Sequence, residues 1–224
     1  MNILKPLIAS AILSAALFGA DFELDKSHSA VGFSVKHLMV SNVKGKFNNF
    51  DGNFSFDPKS KKISSLAGSA EAASIDTDNQ KRDDHLKSPD FFEASKFPKL
   101  TFEMTKFTPL KGEKAKIAGN LTIKGVTKPV VFDAEVSKIV QDPWGGSRMG
   151  ISMSSKINRK DFGLNWNKAL ETGGFVVGDE VKMNIVIDFM EEKDIDEMVS
   201  FYDYIEVQPI ENNLDLLKDG RVLN

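Results

Sequence analysis

The chain has 224 residues, no cysteine, 41% hydrophobic residues and a formal net charge of −3. The missing thiol rules out disulfides, cysteine nucleophiles and thiol-linked lipid anchors, so the protein must fold on an apolar core alone. The charge is uneven: residues 191–224 carry ten acids against three bases, while the preceding stretch is mildly cationic without a basic stripe, which argues against nucleic acid as a partner.

The first twenty residues, MNILKPLIASAILSAALFGA, place Lys5 ahead of an apolar run from Leu7 to Phe18 and close on Gly19 and Ala20. That order predicts a secretory signal peptide over residues 1–20, a mature chain beginning near Asp21, and a periplasmic or secreted location. The run is shorter than the about 20 apolar residues a transmembrane helix needs. From there to residue 190 the pattern has period two, the mark of strands with one buried and one wet face. In chain order the segments are AVGFSV, GNFSFD, the small-residue LAGSAEAASI, PKLTFEMTKF, KIAGNLTIKG, VVFDAEVSK, RMGISMSSKI and EVKMNIVIDF. Turn signals such as FDPKSKK, IKGVTKP and DPWGGSR separate them. Ser88 before Pro89 reads as an N-cap with proline at the first helical position, predicting one or two short helices before the strand at Leu100. Many strands, few helices and short loops predict an antiparallel sheet curled into a sandwich or barrel.

The inward positions are rich in Phe and Met, and the chain has seventeen Phe against two Tyr. Such side chains carry no group that selects a polar ligand; they either fill a barrel or line a cavity for a long apolar molecule, and composition leaves both open. The stretch NQKRDDHLKSPDFFEAS crowds Lys81, Arg82, Asp83, Asp84 and His85 in front of Phe91 and Phe92. Sequence neighbours on a helix do not face one another and no G-x-S-x-G elbow occurs, so no catalytic residue is assigned there. His28, His37 and His85 have no H-E-x-x-H spacing, and no metal site is expected.

The blocks DKSHSAVGFSVKHLMVSNVKGKF, ASIDTDNQKRDDHLKSPDFFEASKFPKLTF, LTIKGVTKPV, DFGLNWN and VGDEVKMNIVID together resemble the YceI-like family of secreted polyisoprenoid-binding proteins, in order from about Phe22 to Phe189. The resemblance implies an all-β fold over residues 21–190: an extended antiparallel eight-stranded β-barrel, lipocalin-like, with one or two short helices at its mouth. It implies a tunnel holding an isoprenoid or other long-chain amphiphile, such as a quinone or a polyprenyl phosphate, with no cofactor and no enzymatic activity. The expected apolar lining is Phe33, Val35, Phe54, Phe56, Phe91, Phe92, Phe102, Met104, Leu121, Phe132, Met153, Phe162, Trp166, Met183 and Ile185, with His37, Arg82, His85 and Arg159 as the polar mouth. Three matters stay open here: an enzyme acting on such a lipid with His85 or His37 as general base, a filled barrel that binds a protein, and whether the chain touches membranes transiently or forms a homodimer. Residues 191–224 have no counterpart in the resemblance and read as an acidic extension of unknown role.

Overall fold

The computed structural model describes residues 20–57, 60, 62–143, 146–171 and 173–191, so the expected signal peptide up to Gly19 and the acidic extension beyond Glu191 lie outside the described residues. The strands are β1 (Ala20–His37), β2 (Ser41–Phe47), β3 (Phe50–Asp57), β4 (Lys62–Glu71), β5 (Ile75–Asp76), β6 (Lys99–Pro109), β7 (Lys114–Ile123), β8 (Val126–Val136), β9 (Val140–Gln141), β10 (Ser147–Asn158) and β11 (Val177–Glu191), with one helix, α1 (Gln80–Lys87), between β5 and β6. The ring runs β1–β3–β4–β6–β7–β8–β10–β11, and β11 returns to β1, closing an eight-stranded antiparallel barrel. No helix among the described residues is long and apolar enough to cross a membrane.

The expected strand segments fall in the ring, except that LAGSAEAASI is cut: β4 ends at Glu71, Ala72–Ser74 is a 3-10 turn and Ile75 belongs to β5; β2, β5 and β9 join the ring at its margins. The segment that became β2, SNVKGKF, reads weakly because its central inward position is Gly45. Its register partner Phe33 supplies the missing side chain: a Cβ built on Gly45 would lie 2.4 Å from the Phe33 ring.

β1 changes partner along its length. Phe22 pairs with Phe54 of β3, while Val31 to His37 pair with β2, and β11 runs along the opposite edge at both ends. Between Asp25 and Ala30 a bulge breaks the β11 register. Asp25 lies opposite Asp188 and Ala30 opposite Val186, so an odd number of positions separates two residues on the same outer face. The bulge therefore inverts the alternation and puts Leu24 and Val31 on the same inner face.

The expected helix onset at Ser88 is corrected. The helix is capped at its N-terminus by Asn79, whose side chain accepts from Arg82 N at 3.0 Å, and Ser88 closes it, its Oγ donating to His85 O at 2.7 Å. Asn79 and Ser88 are both good capping residues; Pro89, which has no N–H and cannot continue a helix, fits equally well just past a C-terminus, and the following residues form turns.

At the barrel end where β1 begins, Phe22, Phe54, Phe56 and Phe189 are buried together, with Phe54 and Phe189 stacked at 4.5 Å. At the other end α1, the turns after it and the 3-10 turn Arg159–Phe162 cross the barrel. The bulge is braced from outside: Asp25 accepts from Ser27 N at 2.9 Å and Ser27 Oγ at 2.5 Å, contacts His28 Nδ1 at 2.7 Å, and is bridged by Arg148 at 2.9 Å, which also holds Asp142 at 3.0 Å. Burial alone would push the Asp25 carboxyl up, but the hydrogen bonds from Ser27, His28 and Arg148 outweigh it and hold it well below the usual carboxylate range. Burial raises Asp188 beside it.

A carboxylate depressed in the folded state stabilises above its unfolded pKa of about 3.9 and loses that contribution as pH falls through its folded value. Asp25→Asn should therefore cost about 1–3 kcal/mol at neutral pH and reduce the loss of stability below about pH 4. Thermal melts of both proteins between neutral and strongly acidic pH check this; parallel curves would contradict it.

Candidate binding cavity

The inner faces of the barrel do not meet. A cavity of about 200 Å³ lies between Leu24, Ile187 and Phe189 at depth and Leu86, Phe91, Phe92 and Leu164 under the crossing turns. Its wall follows from strand alternation: Val31, Phe33 and Val35 of β1 face Phe102 of β6, Leu121 of β7, Phe132 of β8, Met153 of β10 and Met183 and Ile185 of β11. Phe102 and Phe132 meet edge to face at 5.3 Å.

Of the expected apolar lining, Phe33, Val35, Phe91, Phe92, Phe102, Leu121, Phe132, Met153, Met183 and Ile185 border the cavity. Phe54 and Phe56 instead fill the far end, and Phe162 is buried in the core at 2% exposure beneath its own 3-10 turn. Met104 packs against the core just before the β6 register shift, and Trp166 stands outside the wall against Phe91, at 5.3 Å. Sequence reasoning missed Phe47, Phe50, Leu86 and Leu164, which do border the cavity. For the first two a signal was present: Asn48 and Asn49 between two phenylalanines mark a bend in the chain, which here joins β2 to β3 without pairing them.

The four expected polar residues separate. Arg159 alone borders the cavity. It is 3% exposed; its Nε donates to Gly178 O at 2.9 Å, Nη1 to Leu164 O, and Nη2 to Asp179 Oδ1 at 3.3 Å. Burial lowers its pKa, and Asp179 only partly opposes this. Arg82 is engaged elsewhere, donating from Nε to Thr77 Oγ1 at 2.7 Å and from Nη2 to Thr77 O at 2.6 Å. Buried Asp83 accepts from Thr77 N at 3.0 Å and Oγ1 at 2.5 Å. The charged cluster of α1 is therefore a lock on the β5–α1 turn. His85 contacts Asp90 at 2.9 Å and lies edge-on to Phe91 and Trp166 at 5.1 and 4.9 Å, behind the wall. His37 ends β1, half-buried, opposite Ser41 and Val177.

Asp25, His28 and Asp188 bring metal-ligand atoms within 4.8 Å of one another on the outer side of the β1 bulge. The Asp25 oxygen that contacts His28 also accepts from the Arg148 guanidinium, so a cation already occupies that position. This donor set fits a bulge brace better than a metal centre.

Comparison with known proteins places this architecture. A UPF0312 protein of Staphylococcus aureus strain N315 is 40% identical over 170 residues, covering 75% of this chain and 96% of the relative. The crystal structure of a Campylobacter jejuni YceI protein, 40% identical, superimposes with a TM-score of 0.62 over 75% of this chain and 96% of that one. A polyisoprenoid-binding domain from Saccharophagus degradans shares the fold at 14% identity, with a TM-score of 0.54 over 76% of this chain and 97% of that one. The family profile described as the YceI-like domain matches residues 22–189, the span of the closed barrel, and the chain belongs to that family.

Proposed function

We propose that this protein binds an isoprenoid or other long-chain amphiphilic lipid, of the quinone or polyprenyl phosphate class, and stores or carries it through the periplasm or outside the cell. The observation that carries the reading is the cavity wall, which is almost wholly apolar; Arg159 borders it at one end with its guanidinium held by Gly178 O, Leu164 O and Asp179, and Asp51 also borders it, but its carboxylate is exposed and lies 3.7 Å from Lys26. The name of the Saccharophagus domain, a polyisoprenoid-binding domain, supports it through a shared fold. The location rests on the N-terminal leader pattern.

The energetics require no polar anchor for the chain. At about 0.8 kcal/mol per buried CH₂, a chain of roughly a dozen carbons gains on the order of 10 kcal/mol before ordering costs. The cavity of about 200 Å³ is somewhat larger than an engineered cavity of about 150 Å³ that takes benzene. It therefore admits the first units of an isoprenoid as it stands, and longer chains need the flexible Met153 and Met183 to move aside. Arg159 suits an anionic or carbonyl-bearing head group. The chemistry is reversible burial, with no covalent step and no cofactor, and the cavity wall offers no paired acid and base.

A charge placed on the wall should abolish retention. Phe102→Asp and Phe33→Asp, shown to be folded by circular dichroism, are expected to lose at least about tenfold in affinity for a quinone; unchanged binding by both would contradict the assignment. Arg159→Gln should weaken a polyprenyl phosphate at least about tenfold more than a quinone, whereas Arg82→Ala should lower thermal stability through Thr77 and leave that preference intact. Titration of each variant with both lipids checks this, and equal losses for Arg159→Gln would remove its head-group role.

A further inference from the structure

One strip of the cavity wall carries no side chains. On the inner faces of β3 and β4 the alternation reads Phe50, Gly52, Phe54 and Leu66, Gly68, Ala70, and Gly52 pairs directly with Gly68. Both glycines border the cavity. A Cβ on Gly68 would meet only Asp51 O, at 3.5 Å, and one on Gly52 would meet Ala67 O at 3.0 Å. Asp51, Ser69 and Thr101 alternate to the outer face yet also border the cavity, as expected where main chain is left uncovered.

No backbone requirement explains the pair. Neither residue has a positive φ, and the β3–β4 register shift falls at Ser55 and Phe56, not here. Glycine inside a strand weakens it, and without a bulge or bend its remaining use is to let something approach the backbone closely. The neighbouring rings turn away from the strip. Phe102 stands opposite Gly68 in the β4–β6 register but leans over Gly119, where a Cβ would come within 2.4 Å of its ring. Phe33 lies over Gly45 in the same manner.

Resting on the lipid-binding reading above, we propose that the Gly52–Gly68 strip is the track for the ligand's methyl branches and makes the cavity selective for an isoprenoid chain over an unbranched chain of equal length. An unbranched polymethylene chain is narrow, and each isoprene unit adds a lateral methyl. A wall at backbone level provides the extra width on one side. Gly68→Ala puts a protein methyl where the ligand's methyl would lie, and one methyl-sized group in an apolar pocket is worth about 10–200-fold in discrimination.

The test titrates delipidated full-length protein with farnesol and with dodecanol, alcohols of equal main-chain length of which only farnesol carries methyl branches, by isothermal titration calorimetry. The wild type should prefer farnesol, and Gly68→Ala should lower farnesol affinity at least about tenfold relative to dodecanol, with no loss of thermal stability because its Cβ would meet only Asp51 O, at an ordinary contact distance. Gly68→Leu should exclude both. Equal effects of Gly68→Ala on the two alcohols, or unchanged binding by Gly68→Leu, would overturn the track. A wild type that binds neither alcohol would overturn the lipid-binding reading itself, and the track with it.

Discussion

Closure of the barrel rests on β1, which keeps β11 on one edge while its other edge passes from β3 to β2. A strand that serves both halves of a barrel must keep its apolar face inward throughout, and an unbroken period of two would not do so here. The bulge after Asp25 inverts the alternation, and the Asp25–Arg148–Asp142 bridges with Ser27 and His28 hold it from outside. The polar cluster that looks most like a metal or catalytic site is thus the brace that aims Leu24 and Phe33 into one cavity.

The interior then divides by side-chain size. Where β1 begins, Phe22, Phe54, Phe56 and Phe189 are close-packed and leave no lumen. Further along, inward glycines occur on β2, β3, β4 and β7, and two phenylalanine rings, Phe33 and Phe102, fold down onto glycines of adjacent strands. Large and small residues facing one another usually fill a small barrel. Here the rings lean onto Gly45 and Gly119 while Gly52 and Gly68 stay bare, which leaves space along one wall.

Much of this was legible in the chain. The alternation around Phe33, Phe102, Phe132 and Met183 gave the strands and their inward faces, because each position combines period two with a bulky apolar residue. The helix boundary was not, since Asn79 and Ser88 offer equivalent caps and only the buried Thr77–Asp83 contact decides between them. Arg82 and Arg159 are equally plausible in sequence; one is spent on a turn and the other reaches the cavity through a strand-end turn that no local pattern announces. The glycine strip was invisible for a deeper reason. A glycine's contribution is the space it leaves, and that depends on which way a ring on another strand leans.

On the proposed function the barrel is hollow in order to hold a lipid. Native mass spectra of the full chain, expressed with its first twenty residues, purified without detergent and recorded before and after organic extraction, test it most directly. A discrete adduct that extraction removes, and that returns on incubation with a quinone or a polyprenyl phosphate, is the predicted result. A bare mass that persists after incubation with both would contradict it.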